Sequence, residues 1–474
     1  MPYVIGINKC SLIILNFERH TLNFWWSSFI NGLCVLLKFC RLKGNAMAEC
    51  DVLVVGAGVI GLSTAYHIKN ANPNLCVLVV DKFNSAGQGS TAKSASAFRC
   101  LFSSPTNYVL ADSSVEFYSH VQENLKVDLK LSWIGYLWLL SDKSYGEVFP
   151  VLKGLTDKGF MYEEYEAEDL ARKLCLRTDL SGDNEACLMR LGNVYKGIFI
   201  PKAGTIDADC LVKFYEEEFL RLGGRVEYGV NVENLIVEPC EPLGIPQEPY
   251  FWQESRIAGV KTNKGIIKAK KTVLAAGAWI PQLLDAVGIE CFIKPKKRQL
   301  FTVAAKSPAL KQLLFTEGFN SVGCIPFTIL PEPKVLIRPF PNEGVFWLGY
   351  ADDFPRAFKL EDDPQPEKNF YQYGIYQVLV KYFPQFRDCR PTNAFAGLYE
   401  INTLDGQPIV FEENDLIVVG GASGSGIMKA DAIGRVAAAL YNGEEYATLF
   451  NGRKFKVSDL SLKNRKVEPE KLII

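Results

Sequence analysis

An uninterrupted aliphatic run, Val52-Leu-Val-Val55, leads directly into Gly56-Ala-Gly58-Val-Ile-Gly61, and this junction constrains the fold more than any other part of the chain. Such a run suits a parallel strand buried on both faces. Gly56 permits a tight turn, Gly58 lets the backbone approach a phosphate, and Gly61 lets the following helix pack on the strand. The helix starts near Val59, so the amides of Val59, Ile60 and Gly61 face an anion. Leu62, Ala65 and Ile68 continue at helical spacing. A second apolar run, Cys76-Val-Leu-Val-Val80, ends in Asp81 and Lys82, about 20 residues beyond Gly61, where a carboxylate accepts ribose hydroxyls. The reading is a βαβ unit that holds a dinucleotide, either a nicotinamide or a flavin.

At 474 residues the chain exceeds one ordinary core, which sets an expectation of two domains. Its 52 basic and 53 acidic residues leave a net charge of -1, which provides no electrostatic footprint for nucleic acid or an anionic membrane. The 13 cysteines are scattered without CxxC pairs and there are 3 histidines, so no metal site is expected. Dispersed thiols of this kind read as reduced and cytoplasmic. The first 46 residues stand apart, because residues 22–40 form a nearly uncharged apolar stretch just long enough to span a bilayer. Asn23 and Asn31 interrupt that stretch and Met47 stands immediately before the first strand, which favours an extension upstream of a start at Met47 over a hydrophobic anchor.

Beyond the βαβ unit, Gly87-Gln-Gly89-Ser90-Thr91-Ala-Lys-Ser-Ala95 is a loop of small residues able to lie against a ligand. Residues 107–122 read as a helix and 133–140 as a strand. Asp207 is placed to cap a helix that ends at Gly223-Gly224, and a strand follows at 225–228. Residues 257–261 and 265–268 read as a hairpin, and 271–279, containing Ala275, Ala276, Gly277 and Trp279, as a strand that closes over the dinucleotide. Strands at 299–304, 335–339 and 345–350 suggest an antiparallel sheet. The basic run Lys294, Lys296, Lys297 and Arg298 reads more as a solvated turn than as a site, although Arg298-Gln299 also fits a strand that approaches the cofactor, and His67 reads as structural. Finally, Asp415-Leu-Ile-Val-Val-Gly420-Gly421-Ala-Ser-Gly424-Ser425-Gly426 repeats the strand, glycine turn and helix of the opening, with the helix at 427–440. Two such turns suit a long ligand whose pyrophosphate meets the first and whose electron-rich pyrimidine edge meets the second, which favours a flavin.

Together these motifs, with Gly135-Tyr-Leu137, Ala396-Gly-Leu-Tyr399-Glu400 and Asp405-Gly406, resemble the D-amino-acid-oxidase (DAO) family of flavoproteins from Met47 to about residue 443. The branch most similar contains sarcosine oxidase, dimethylglycine dehydrogenase and the flavin subunit of dye-linked proline dehydrogenase. The resemblance implies an α/β fold in which a Rossmann-like FAD-binding domain (residues 47–135, 200–290 and 395–445) is interleaved with an antiparallel-sheet substrate domain (136–199 and 291–394), followed by a tail at 446–474. It implies that Gly56, Gly58 and Gly61 line the pyrophosphate, that Asp81 holds the ribose and that Gly89, Ser90 and Thr91 touch phosphate or flavin. Val232 would meet adenine, Ala275, Ala276 and Gly277 would border the cofactor, and Gly421, Gly424, Ser425, Gly426 and Ile427 would face the flavin. Relatives carry histidine at Ser425, a flavin-tethering cysteine at Leu398, arginine at Tyr399 and lysine at Trp347. Their absence implies non-covalent FAD and an open question of acceptor: oxygen, a quinone or a partner subunit.

Oxidation of an amine by flavin asks for a cation to hold the substrate carboxylate and for apolar walls. Arg99 is the first candidate, followed by Arg338, Tyr399, Ser425 and Lys429. The expected activity is hydride transfer from the Cα–H of a small secondary, N-methylated or D-amino acid to flavin N5. The alternatives are oxidation of a 2-hydroxy acid or glycerol 3-phosphate, and a flavin subunit active only in a complex.

Overall fold

In the computed structural model residues 48–157, 159–352 and 356–472 are described. The expectations for residues 1–46 and for a start at Met47 lie outside them. From residue 49 onward the chain forms one compact unit, so the segments expected as two domains alternate within a single body.

The first sheet has the order Ile409–Glu413, Leu416–Gly420, Gly265–Leu274, Ala48–Val55, Val77–Asp81, Arg225–Tyr228. Ala48–Val55 runs parallel to Val77–Asp81 in a register that pairs Val55 with Val80, which brings Gly56 and Asp81 to the same edge. Ser255–Thr262 and Val232–Pro239 extend from Gly265–Leu274 as antiparallel neighbours. The residues expected as two strands, 265–268 and 271–279, form one strand that ends at Leu274, because the pairing with Leu416–Gly420 continues where the hairpin leaves off.

Helices Val59–Ala71, Ala208–Arg221 and Ala430–Tyr441 contribute to the core that covers this sheet. Asp207 caps the second of these through the amides of Asp209 and Cys210, as its position predicts. Gly434 lets Ala430–Tyr441 lie against Val59–Ala71, since a Cβ there would sit 2.4 Å from Ser63 Oγ. His67 is indeed structural: its Nε2 lies 2.8 Å from Asp431 Oδ1, and Arg435 Nε donates to Oδ2 at 2.7 Å. Burial alone would raise the Asp431 carboxyl, but His67 and Arg435 hold it below its ordinary range.

The second sheet has the order Asn393–Asn402, Ile293–Ala304, Val345–Tyr350, Val335–Phe340, Phe327–Ile329, Tyr136–Leu140, Lys196–Ile200, Glu163–Glu166. All its pairs are antiparallel except Phe327–Ile329 with Tyr136–Leu140. Two expectations are corrected here. Asn393–Asn402 pairs with Ile293–Ala304 along its whole length, so a boundary at 395 cuts through a strand of this sheet. The basic run Lys294, Lys296, Lys297 and Arg298 is part of Ile293–Ala304 rather than a solvated turn, and Lys296 is buried. Alternation along the strand spreads these charges over two faces.

The helix expected at 427–440 starts with a 3-10 turn, Ile427–Lys429, before Ala430–Tyr441. The tail is ordered against the body: Tyr446–Thr448 pairs with Lys454–Lys456, and Arg465 holds Asp405 through two hydrogen bonds. Among the described residues no helix is long and apolar enough to cross a membrane.

Gly434→Val should cost about 2 kcal/mol of stability through overpacking against Ser63. Thermal denaturation checks this: an unchanged Tm would show that the two helices reseat without strain.

Candidate functional site

One cavity of about 930 Å³ runs from the first glycine turn to the last, at the upper end of the range usual for ligand sites. At its first end, strand Ala48–Val55 delivers Gly56 with a φ of +110°, and a Cβ there would lie 2.4 Å from the Ala275 carbonyl oxygen. Gly61 is equally forced, because its Cβ would meet Gly56 O at 2.0 Å. Gly58 differs from both. Its φ is ordinary and a Cβ would meet only Thr91 Oγ1, at 3.4 Å, so its hydrogen keeps cavity space open rather than relieving a clash.

Gly58 is also the N-cap of helix Val59–Ala71 and offers no side chain to the first turn. Thr91 Oγ1 accepts from Val59 N at 3.2 Å, which leaves the next amides of the turn for a ligand. Asp81 accepts from Ala57 N at 2.6 Å on one oxygen and from Phe83 N at 2.8 Å on the other. Each oxygen keeps a lone pair for a ribose hydroxyl. Val232 lines the cavity nearby, as do Ala275, Ala276, Gly277 and Gly89. Lys82 and Trp279 line it too, and both hold Asp362: Lys82 Nζ at 2.9 Å and Trp279 Nε1 at 3.1 Å, with the ammonium 3.9 Å from the indole centroid.

The small-residue loop crosses between the two sheets. Ser90 Oγ donates to Leu398 O at 2.6 Å, and Gly397 is required because a Cβ would lie 2.5 Å from Lys93 Cβ.

At the far end Gly424, Ser425, Gly426 and Ile427 line the cavity beside Tyr399, Arg99 and Lys429. Gly424 has a φ of +87°, and a Cβ on it would stand 2.3 Å from the Tyr399 ring. The Arg298 guanidinium lies 5.4 Å from the centroid of that ring. Arg99 lies in the strand Ala97–Arg99, only 6% exposed, over Phe102 at 4.4 Å and Trp138 at 5.3 Å. Its Nη2 donates to Leu472 O at 2.6 Å, while Nη1 is buried with no hydrogen-bond partner among the described residues. Lys429 is 1% exposed and donates to Asn107 Oδ1 at 2.5 Å and Ser425 Oγ at 2.7 Å. Burial brings the Lys429 ammonium down to about 7; Glu470 opposes that shift and Arg99 adds to it.

Two predicted site residues fall outside the lining. Arg338 is buried over Phe340 and Trp347 and donates to Ala95 O, so it supports the small-residue loop from behind. Gly421 faces Asn402 and Ile409, where its φ of +69° serves the turn. Residues that the sequence reading did not assign also line the cavity: Asn107, Tyr136, Glu400 and Glu470. Burial raises the Glu400 carboxyl to about 7, partly offset by the Ala422 and Gly421 amides, and its Oε2 has no hydrogen-bond partner among the described residues. An acid within the apolar stretch that follows Ala396 was the available signal for Glu400. Glu470 carried none, because nothing local marks a tail residue as part of a distant site.

The three distinct glycine roles, the carboxylate at the neighbouring strand end and the length of the cavity fit FAD. Residues 51–440 match the family described as DAO, FAD dependent oxidoreductase. The chain belongs to this family. FAD-dependent oxidoreductase domain-containing protein 1 of Xenopus laevis is 23% identical over 443 residues, 86% of this chain and 83% of that protein. Glycine oxidase of Pseudomonas putida is 28% identical over 281 residues, 56% of this chain and 66% of that protein. The crystal structure of L-proline dehydrogenase from P. horikoshii shares the fold with a TM-score of 0.67 at 21% identity, covering 88% of this chain and 97% of that one.

The contrast between the glycines of this DAO-family chain is testable. Gly56→Ala should lower Tm and abolish FAD binding together, because the added Cβ has nowhere to go. Gly58→Ala should leave the apoprotein Tm in place and weaken FAD binding about tenfold or more. Fluorescence titration of the apoprotein with FAD measures the difference, and equal effects of the two substitutions would refute the assignment of Gly58 to the ligand face.

Proposed function

We propose that this chain oxidises a small secondary, N-methylated or D-amino acid by removing its Cα hydrogen as hydride. The observation that carries this reading is Arg99: a buried guanidinium on the cavity wall whose Nη1 has no hydrogen-bond partner among the described residues, over the same Phe102 ring as the Lys429 ammonium. A buried cationic donor left unpaired costs stability unless a ligand completes it, and a carboxylate is its natural partner. The names of two relatives, glycine oxidase and L-proline dehydrogenase, support an amino acid as the source of that carboxylate.

Bound FAD supplies the two-electron acceptor. Gly56, Gly58, Gly61 and Asp81 would hold its adenosine and pyrophosphate portion, and the turn at Gly424, Ser425 and Gly426 its isoalloxazine. Among the described residues neither cysteine nor histidine lines the cavity, which supports a non-covalent attachment. Arg99 would hold the substrate carboxylate, with Phe102 and Tyr136 walling off water. Lys429 Nζ would add a second positive charge while it keeps its proton. The Glu400 carboxyl, raised to about 7, can hold a proton at neutral pH in the same cavity, beside Gly277 and Gly420.

Anaerobic mixing of the purified flavoprotein with sarcosine, proline, dimethylglycine, D-alanine, lactate and glycerol 3-phosphate tests the proposal. Bleaching by at least one amine and not by lactate or glycerol 3-phosphate is expected. Bleaching by the hydroxy compounds alone would move the reading to that class, and no bleaching at all would point to a subunit active only in a complex. Admission of air then reports whether oxygen is the acceptor. Arg99→Lys should raise KM about 30-fold, because a flexible point charge replaces a stacked guanidinium whose Nη1 is held in place by the bond of Nη2 to Leu472 O. Carboxylate affinity should also weaken as pH rises through about 7, where Lys429 loses its proton. Lys429→Met should flatten that pH dependence in a binding titration.

A further inference from the structure

The chain near its C-terminal end returns to the cavity more than 360 residues after the loop it meets, and it does so through a series of specific bonds. Arg465 grips Asp405 with Nε at 2.6 Å and Nη2 at 2.8 Å, next to Asp405 and Gly406 on the cavity wall. Gln407 Nε2 donates to Glu468 O at 2.5 Å. Glu470 then inserts its carboxylate at the start of helix Pro105–Glu123. Oε1 accepts from Ser103 N at 2.9 Å, Ser103 Oγ at 2.7 Å and Leu472 N at 2.9 Å. Oε2 accepts from Ser104 N at 3.3 Å and Asn107 Nδ2 at 3.1 Å. An anion at a helix N-terminus is favourable in itself. Leu472 is buried among the apolar side chains around Tyr136 and Trp138.

The consequences fall on the two cations at the far end of the cavity. Leu472 O takes one Arg99 amino group and thereby leaves the other, Nη1, as the one presented without a partner. Asn107 stands between Glu470 and Lys429: its Nδ2 faces the carboxylate and its Oδ1 accepts from Lys429. An anion can be faced only by the donor end of that amide, so Glu470 fixes which end Lys429 meets. The charged groups acting on Lys429 are Glu470 from the tail and Arg99 from Ala97–Arg99; the helix contributes the neutral Asn107.

We propose that segment 468–472 is part of the substrate site, with Leu472 and Glu470 as positioning residues that hold Arg99 and Lys429 for a carboxylate. This rests on the amino-acid reading of the same site. It adds an element that lies outside the family match, which ends at residue 440.

The test uses the full-length flavoprotein, the variant Glu470→Gln and a chain shortened after Lys466. Flavin per chain, Tm and the affinity for propionate are measured, the last from the change in the flavin absorption band across neutral pH. Glu470→Gln should keep its flavin and bind propionate about tenfold more weakly. Its affinity should also fall off at lower pH than in the parent, because removal of a nearby negative charge makes Lys429 release its proton sooner. The shortened chain should keep flavin and lose at least as much affinity. Propionate affinity and pH midpoint unchanged in both variants would overturn the proposal. So would loss of flavin and of Tm in both, since that pattern assigns the segment to the fold alone. A parent protein that binds neither propionate nor any amino acid overturns the amino-acid reading itself, and the proposal falls with it.

Discussion

The Ala275 carbonyl oxygen occupies the space that a side chain on Gly56 would need, and much else in the structure depends on that contact. It fixes how closely strand Gly265–Leu274 ends beside Ala48–Val55, with Ala275 N donating to Val55 O at 2.9 Å. Gly61 then packs its own backbone on Gly56. The helix axis is therefore set by backbone against backbone, without any adjustable side chain between. That rigidity positions the open amides of the first turn and, through the register of Val55 with Val80, the carboxylate of Asp81. A site for a large, charged cofactor benefits from this construction, because the ordering is complete before the ligand arrives.

Where function follows from local backbone chemistry, the sequence is a sufficient guide. Val52 to Gly61, the cap at Asp207 and the hairpin around Asn263 each declare themselves within a dozen residues. Where it follows from pairing between distant segments, it does not. Lys294, Lys296, Lys297 and Arg298 look like a solvated run until Asn393–Asn402 is laid beside them, and only then does alternation carry Arg298 to the cavity. Arg338 was a fair candidate by type, yet it lies outside the cavity lining, over Phe340 and Trp347 and bonded to the Ala95 carbonyl. Lys429 shows the reverse case. Counting helical phase from residue 427 turns its side chain away, whereas a 3-10 turn over Ile427–Lys429 precedes the helix and lets Nζ reach Ser425.

The far end of the cavity is held together by charges placed out of balance. Arg99 and Lys429 share a buried region, and no carboxylate lies within ion-pairing distance of either among the described residues. Burying such groups without a paired countercharge is costly, and proteins tolerate the cost where binding or chemistry requires it. Glu470 softens the repulsion from behind, through Asn107 and the helix start, without occupying the donors themselves. The arrangement differs from an ordinary salt bridge in that the negative charge stabilises the pair at a distance while the guanidinium retains a free amino group.

This separation of tasks accounts for why the two sheets are interleaved along the chain. The first sheet presents its glycine turns by backbone geometry at the ends of two aliphatic strands, Ala48–Val55 and Leu416–Gly420. The second sheet presents side chains, Tyr399 and Arg298 among them, and must reach the first sheet's last glycine turn from outside. It does so directly where Ile401 pairs with Ala422, and through the small-residue loop where Ser90 bonds Leu398 O and Gly397 lies against Lys93. A larger residue at Gly397 would push Asn393–Asn402 away from the loop and carry Tyr399 off Gly424 with it. The position of the reacting end of the cavity is therefore set by the same physical means as its binding end: close backbone approach secured by glycine, with the charged groups hung upon a frame they do not have to support.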